Sequence, residues 1–404
     1  MRRFILPILL ILASITQSQP AQASPSIKTD LGVCTKNKLN EIKIYKNEKY
    51  KCILISSTPY NKYHYIHQSL ANANNMQTTT PPFSSQLIPA GFNSLTKKIN
   101  SAPVPQDDKL TYIIDPKVSP LYITQLTREV NKVMKLYQSN FPDMNFPIRI
   151  YLYDSKNMQE LYDLLVKDLT PQAIEGGWLE AKLASTLSRP NNSFGGGAAG
   201  YGKDGTSVVF YYVNENPETQ INQHHALIHE AIHIYQRNIL GNMGKMPCWV
   251  REGQATYLGF TLAAKSESEL AVTWKAMYYQ FPQNQSTKDF TSKTIDDWIA
   301  WLTEQETHSN QDCDAFANYA YGAITYSYLY GTYGVDKVNE LFTNINNYPK
   351  KNTTPATNGY VGDSWLQAYN QTFGHSAQSE YPQIAQYLYN EAKWYLKAPK
   401  SNKN

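Results

Sequence analysis

The stretch LIHEAIH, residues 227–233, places His229 and His233 four residues apart, with Glu230 directly after the first histidine. In an α-helix, residues four apart lie one above the other, so both imidazoles can reach one small cation. Neutral imidazole binds zinc at about 2.0–2.1 Å. Glu230 is rotated by about 100° from His229 and flanks the metal, where it can act as a base on metal-bound water. The pattern predicts a zinc site; the alternative is a chance pair of histidines on one face of a buried helix.

A third ligand is needed, because catalytic zinc usually has three protein ligands and one open position. Glu252, within PCWVREGQATYLGF (residues 247–260), lies 19 residues after His233. That separation fits a turn followed by a second helix, and the small residues around Glu252 favour close packing of that helix against the first. Glu252 would complete a set of two histidines and one glutamate. The alternative is an ordinary surface glutamate.

Strand and helix patterns alternate before this pair of motifs. Residues rich in β-formers predict strands over 110–116, 147–155 and 206–216. Apolar residues at helical spacing predict helices over 121–141 and 158–169. The remainder, 248–395, is mostly helical by periodicity. The sequence therefore predicts an α+β fold, with a small mixed sheet followed by a mostly helical C-terminal half.

Two local signals refine this prediction around LIHEAIH. Asn216-Pro217 is a plausible start for its helix, and Gly241 a plausible stop. The glycine-rich run SFGGGAAGYG (193–202) is expected to form an edge or hairpin near that helix, since glycine tolerates close backbone approach.

The N-terminus combines two arginines, the apolar run Phe4–Ile15 and the small-residue site Ala21-Gln22-Ala23. This is the pattern of a secretory signal peptide, predicted over residues 1–23. The run is too short for a membrane span, and no later stretch is long and apolar enough for one. We expect an extracytoplasmic protein, periplasmic or secreted, without an integral membrane segment after signal cleavage.

The rest of the chain divides by composition. Residues 24–107 are expected to hold a small β-rich region and then, over 68–107, a linker or loosely ordered crossing segment. The main domain is expected over 108–395, and 396–404 is a short basic tail. The formal net charge is only +4, and its cations are scattered. No nucleic-acid partner is expected, because such proteins need a clustered basic face.

The chain has four cysteines, Cys34, Cys52, Cys248 and Cys313. An even number in a secreted chain favours disulfides. Cys34 with Cys52 would close a small loop, and Cys248 with Cys313 would join distant segments. Three pairings are possible, and the sequence does not choose among them.

HEAIH, eighteen intervening residues and Glu252 within WVREGQATY resemble the gluzincin zinc metallopeptidases. The pattern is most similar to the M1 aminopeptidase group and its smaller peptidase-MA-like relatives, over roughly residues 110–380. The resemblance implies a zincin-like catalytic domain in which His229, His233 and Glu252 hold Zn²⁺ and Glu230 is the catalytic base.

The resemblance also implies a tyrosine, within Y-x-x-G, that stabilises the oxyanion. Tyr319, which lies 67 residues after Glu252, is the first candidate and Tyr321 the second. For either tyrosine, ordinary packing is the alternative. If Cys248 pairs with Cys313, the disulfide would link the Glu252 helix to the Tyr319 helix.

The chain departs from the M1 exopeptidases in the glycine-rich run. Their G-x-M-E-N glutamate holds the free amino terminus of the substrate, whereas SFGGGAAGYG has no acidic residue. An endopeptidase is therefore favoured over an aminopeptidase. His225, one turn before His229, has either a supporting role in the cleft or an ordinary packing role.

These features predict a zinc metallopeptidase that hydrolyses peptide or protein substrates. Two alternatives stay open. One is a zinc hydrolase acting on a non-peptide substrate, and the other is a non-catalytic envelope protein that binds its ligand in the same cleft.

Overall fold

The structure is a computed structural model. It describes residues 42–45, 48–56, 62–67, 83–105, 109–141, 146–170, 196–213, 220–241, 246–279, 286–306, 313, 316–347 and 364–397. The predicted signal peptide, Cys34 and most of the predicted basic tail lie outside these residues, so the pairing of Cys34 with Cys52 does too.

The chain divides into two compact units, Met1–Thr79 and Thr80–Asn404. In the first unit, three strands form an antiparallel sheet in the order β1-β2-β3. Their bounds are Ile42–Tyr45 (β1), Glu48–Ser56 (β2) and Lys62–His67 (β3).

The second unit contains a four-stranded sheet in the order β4-β5-β7-β6. Its strands are Leu110–Ile114 (β4), Ile148–Asp154 (β5), Gly196–Tyr201 (β6) and Ser207–Val213 (β7). Strands β4, β5 and β7 are parallel to one another, and β6 is an outer strand antiparallel to β7. Every residue of β7 is buried, as expected for a strand covered on both faces. The glycine-rich run thus enters a hairpin at the edge of the sheet, as predicted.

Eleven helices are described in the second unit. They are Leu87–Ser101 (α1), Pro120–Gln138 (α2), Met158–Asp168 (α3), Gln220–Leu240 (α4), Cys248–Ala263 (α5), Glu267–Tyr279 (α6), Ser286–Ser292 (α7), Ile295–Gln305 (α8), Phe316–Asn347 (α9), Ser364–Phe373 (α10) and Ala377–Lys397 (α11). Gly334 interrupts α9 with φ 77°. A small mixed sheet followed by a helical C-terminal half confirms the predicted α+β class.

The α1 helix corrects the prediction of a linker over 68–107. Ile88, Phe92, Leu95 and Ile99 are buried along one face of α1, and this helix packs against α9. The spacing of these four residues is helical, but the surrounding Asn, Thr, Ser and Pro residues obscured it. The compact unit accordingly begins at Thr80, before the predicted boundary at residue 108.

The α4 helix lies on the sheet, held to β7 by two side-chain hydrogen bonds. The Tyr211 hydroxyl donates to the Leu227 carbonyl oxygen, and the Asn238 amide donates to Ser207 Oγ at 3.0 Å. The helix ends at Leu240, and Gly241 follows with φ 62°, which confirms the predicted stop. The proposed start at Asn216-Pro217 lies outside the described residues.

The α5 helix crosses α9 with the two backbones in contact. A Cβ atom built on Gly253 would lie 2.5 Å from Gly322 Cα, so neither position has room for a side chain. This crossing brings Gly253, the neighbour of Glu252, against Gly322, which lies three residues after Tyr319.

Candidate metal centre

Three side chains from two neighbouring helices converge at the junction of α4 and α5. His229 Nε2 and His233 Nε2 are 2.9 Å apart. Glu252 Oε2 lies 3.1 Å from His233 Nε2 and 3.3 Å from His229 Nε2. All three residues are buried. Among the residues that the structure describes, this is the only group of three or more histidine, cysteine or acidic residues with the spacing of a metal site.

The donor set has the dimensions of one face of a metal tetrahedron. Ligands about 2.05 Å from a tetrahedral zinc ion are about 3.3 Å from one another. The three observed separations of 2.9, 3.1 and 3.3 Å are close to that value. Two imidazole nitrogens and one carboxylate oxygen therefore fit a divalent ion such as zinc, with a fourth position left for water or substrate.

Gln236 fixes which nitrogen of His233 faces this point. The Gln236 amide nitrogen donates to the Arg251 carbonyl oxygen at 3.0 Å, which orients the amide. Its Oε1 then faces His233 Nδ1 at 2.8 Å. Because Oε1 can only accept, Nδ1 carries a hydrogen, so in the neutral ring the lone pair lies on Nε2. His233 is thus prepared as a metal ligand.

The other two ligands have similar support. Thr256 Oγ1 lies 3.3 Å from His229 Nδ1, the nitrogen that faces away from the other ligands. Arg251 Nε donates to Glu252 Oε1 at 2.9 Å, so that oxygen is occupied and Oε2 faces the histidines. Partners of this kind orient metal ligands and tune their basicity.

The charges of the triad favour an ionised carboxylate. Burial on its own raises the pKa of Glu252, but the charge of His233 and hydrogen bonds from both imidazoles lower this pKa well below its usual range. Burial also lowers the pKa of His233, yet the Glu252 carboxylate outweighs it and leaves this pKa above its ordinary value. A bound metal cation would replace the proton that these groups share.

Glu230, the predicted base, is only partly buried and lies beside the triad. Its negative charge raises the pKa of His233 and of Tyr211, so it stands within electrostatic range of both. It is absent from the three-residue ligand group, as expected for a residue that flanks the ion.

The two candidate tyrosines occupy different surroundings. The ring of Tyr319 stacks on that of His229, with centroids 5.5 Å apart and an interplanar angle of 13°. Tyr321 is buried against Trp298 and Trp301, and its hydroxyl donates to Asp289 at 3.3 Å. The structure therefore brings Tyr319 against the candidate ligand His229 and directs the Tyr321 hydroxyl to Asp289.

A disulfide joins Cys248, the first residue of α5, to Cys313, shortly before α9, with Cα atoms 4.9 Å apart. This is one of the pairings that the sequence left open. The bridge holds the start of α5 near the start of α9, and the Gly253–Gly322 crossing brings the two helices into contact. Together they fix the helix of Glu252 relative to the helix of Tyr319.

Sequence reasoning missed three supporting residues: Gln236, Arg251 and Thr256. Gln236 lies three residues after His233, on an adjacent part of the helix surface, which is the one signal that pointed to it. His225 stacks on Phe260, with ring centroids 4.1 Å apart, which supports a packing role.

Within the described residues, no helix has the length and apolar character needed to cross a membrane. The sequence matches no family model and none of the curated proteins with which it was compared.

Proposed function

We propose that the protein is a zinc-dependent metallopeptidase that acts outside the cytoplasm as an endopeptidase. The observation that carries this proposal is the convergence of His229, His233 and Glu252 on one point, with Gln236 holding the His233 lone pair toward it. The position of Glu230 and the resemblance of the two motifs to gluzincins support the same reaction.

The donor set favours zinc as the ion, since two imidazoles and one carboxylate form the ligand set of thermolysin-type sites. When bound, zinc supplies Lewis-acid activation of water and of the substrate carbonyl. Glu230 would accept the proton of the attacking water and return it to the leaving amine. The Tyr319 hydroxyl would donate a hydrogen bond to the oxyanion.

The extracytoplasmic location rests on two features. The first 23 residues have the pattern of a signal peptide. The disulfide joins Cys248, on the helix of Glu252, to Cys313, shortly before the helix of Tyr319, and such bonds persist in oxidising compartments.

The endopeptidase assignment rests on the outer strand near the site. The glycine-rich β6, Gly196–Tyr201, contains no carboxylate that would pair with a free amino terminus. An aminopeptidase needs such an anion next to the metal, whereas an endopeptidase must accept polypeptide on both sides of the cleaved bond.

The decisive variant is Glu230→Gln. It keeps the shape of the side chain but removes the proton acceptor, so peptide cleavage should fall by about 100- to 10,000-fold. Zinc content, measured by mass spectrometry of the metal, should stay at one ion per chain. Cleavage is measured on a peptide library, with identification of the products.

Glu160→Gln, an exposed position on α3, is the matched control and should leave cleavage unchanged. Zinc binding without cleavage of any peptide by the wild type would contradict the proposal. That result would favour a non-peptide substrate or a binding function for the same cleft.

A further inference from the structure

Arg237 lies on α4 one helical turn beyond His233. Residues 229, 233 and 237 are spaced by four, so they follow one another along a slowly turning face of the helix. The Cα atom of Arg237 lies about 6 Å from that of His233 along the helix axis. An arginine side chain is long enough to span that distance toward the metal ligands.

Arg237 differs from the other arginines of the described residues in its partners. Arg128, Arg149 and Arg251 each pair with a carboxylate. No ion pair is found for Arg237 within the described part of the chain. Its guanidinium carbon instead lies 5.8 Å from the ring centroid of Tyr201, the last residue of β6.

The guanidinium is held in a partly buried place within the field of the metal centre. Burial lowers the pKa of Arg237 and the charge of Arg251 adds to this effect, whereas Tyr201 and then the charges of Glu230 and Glu252 oppose it. A cation that is withdrawn from water without an anionic partner is costly, and a carboxylate from a ligand would relieve that cost.

The neighbouring strand indicates where such a carboxylate would come from. In the sheet order β4-β5-β7-β6, the outer strand β6 has only one strand partner among the described residues, and β6 contacts α4. An extended peptide that passes the triad along this helix advances about 3.3 Å per residue. The 6 Å offset of Arg237 therefore corresponds to about two residues.

We infer that Arg237 is a specificity-determining residue, which binds a substrate carboxylate about two residues from the cleaved bond. The inference rests on the proposed peptidase function and names its substrate class as acidic polypeptide. An endopeptidase would meet an aspartate or glutamate side chain at this position. A free terminal carboxylate has the same chemistry and is separated from the side chain by experiment.

If Arg237 had only a structural role, a lysine could replace it. A cation in the last turn of α4 stabilises the helix dipole, and a cation over Tyr201 gains from the ring. Lysine serves both purposes. Only arginine offers the planar fork that grips a carboxylate with two hydrogen bonds, so Arg237→Lys separates the two roles.

The test uses peptide hydroxamates, which bind the zinc-loaded full-length protein without being cleaved. Paired probes carry Glu or Gln at the second residue from the hydroxamate, in one series extending toward the N-terminus and in another toward the C-terminus. A third pair ends in a free carboxylate or in an amide. Dissociation constants are measured by calorimetry for wild type, Arg237→Gln, Arg237→Lys and the control Lys393→Gln, which removes another cation lying over a tyrosine ring.

We expect the wild type to bind the Glu probe at least about tenfold more tightly than the Gln probe in one series. Arg237→Gln should abolish this preference, Arg237→Lys should keep only part of it, and Lys393→Gln should keep all of it. A preference confined to the third pair would identify a chain terminus as the carboxylate and overturn the acidic side chain.

Equal affinities within every pair for the wild type, or an unchanged preference in Arg237→Gln, would overturn the inference alone. A wild type that prefers Glu probes but cleaves no peptide would overturn the peptidase proposal and leave the carboxylate site standing. A wild type that binds no probe would overturn both.

Discussion

Gln236 is the residue on which the orientation of His233 depends. Its amide is fixed by the Arg251 carbonyl, and its Oε1 accepts the hydrogen of His233 Nδ1. Without this acceptor, the ring can rotate or take the other tautomer, and Nε2 no longer faces His229 and Glu252 in every molecule.

Gln236→Leu should therefore weaken zinc binding by about 10- to 100-fold, the usual effect of removing a partner of a metal ligand. Gln236→Glu keeps an oxygen opposite Nδ1 and should lose less affinity. The zinc dissociation constant is measured by competition with a coloured chelator. Equal affinity in wild type and Gln236→Leu would show that other contacts hold the ring.

Among individual residues, the sequence predicts the three candidate ligands but not the residues that orient them. His229, His233 and Glu252 follow from helical spacing and from a motif, both of which are local. The contacts of Gln236 and Thr256 depend on how α4 and α5 are rotated against each other. That rotation is set by close approach at Gly259, where a Cβ atom would lie 2.7 Å from the His225 carbonyl oxygen. The spacing of residues in the sequence does not indicate this rotation.

Among the secondary-structure elements, the crossing of α5 and α9 relates Glu252 to Tyr319. Gly322→Ala tests it, because two effects of opposite sign compete there. Alanine favours a helix by about 1 kcal/mol over glycine. The added methyl would lie 2.5 Å from the Trp249 carbonyl oxygen. This oxygen belongs to the backbone and cannot move away without a substantial cost in free energy.

We expect Gly322→Ala to lower the free energy of unfolding by about 1–3 kcal/mol, the usual range for overpacking, and to weaken zinc binding. Urea denaturation and chelator competition measure the two effects. Gly374→Ala is the control: its φ of 82° makes alanine strained, but nothing lies within 4 Å of the added methyl. It should lose stability without loss of zinc affinity. A more stable Gly322→Ala variant would contradict the crossing.

A buried carboxylate joins α9, α10 and α11. Glu380 accepts hydrogen bonds from the hydroxyls of Tyr328, Tyr333 and Tyr369, and its Oε2 lies 2.8 Å from His375 Nε2. Burial raises the pKa of Glu380, but these hydrogen bonds outweigh it and leave the pKa below its ordinary value of 4.5.

Since the folded pKa is depressed, the stabilisation by Glu380 is present above pH 4.5 and is lost as the pH falls through the lower folded value. Glu380→Gln should cost about 3 kcal/mol at pH 7, and the difference from wild type should shrink at acidic pH. Urea midpoints at pH 7 and at about pH 3.5 measure it, with Glu340→Gln, an exposed change on α9, as control. A difference that does not change with pH would show that Glu380 is not ionised in the fold.

The elements themselves were predictable where their pattern was regular. Residues 148–154 and 207–213 alternate or run apolar, as strands in a covered sheet do. The α1 helix was missed because a short helix takes most of its stability from packing. Its partner surface on α9 lies more than 200 residues away, at Gly331, whose added Cβ would lie 2.6 Å from Leu87 Cβ.

For the whole molecule, the position of α1 decides where an independently folding unit begins. Ile88, Phe92, Leu95 and Ile99 are at most 8% exposed. Each buried side chain of this size contributes about 1.5–3 kcal/mol, so the four together rival the 5–15 kcal/mol that stabilises a typical domain.

A chain of residues 80–404 should therefore unfold cooperatively and bind zinc with the affinity of the longer protein, whereas residues 108–404 should not fold. Circular dichroism melting and zinc titration measure both chains. A stable, zinc-binding 108–404 chain would show that α1 is an accessory element.

The sulfur bridge from Cys248 to Cys313 spans 65 positions of the chain, including all of α5 through α8. A protease that nicks the backbone between those cysteines would produce a two-chain form, not two separate fragments. Glu252 and Tyr319 would stay tethered through such a break, and thiol reductants would then be needed to separate them.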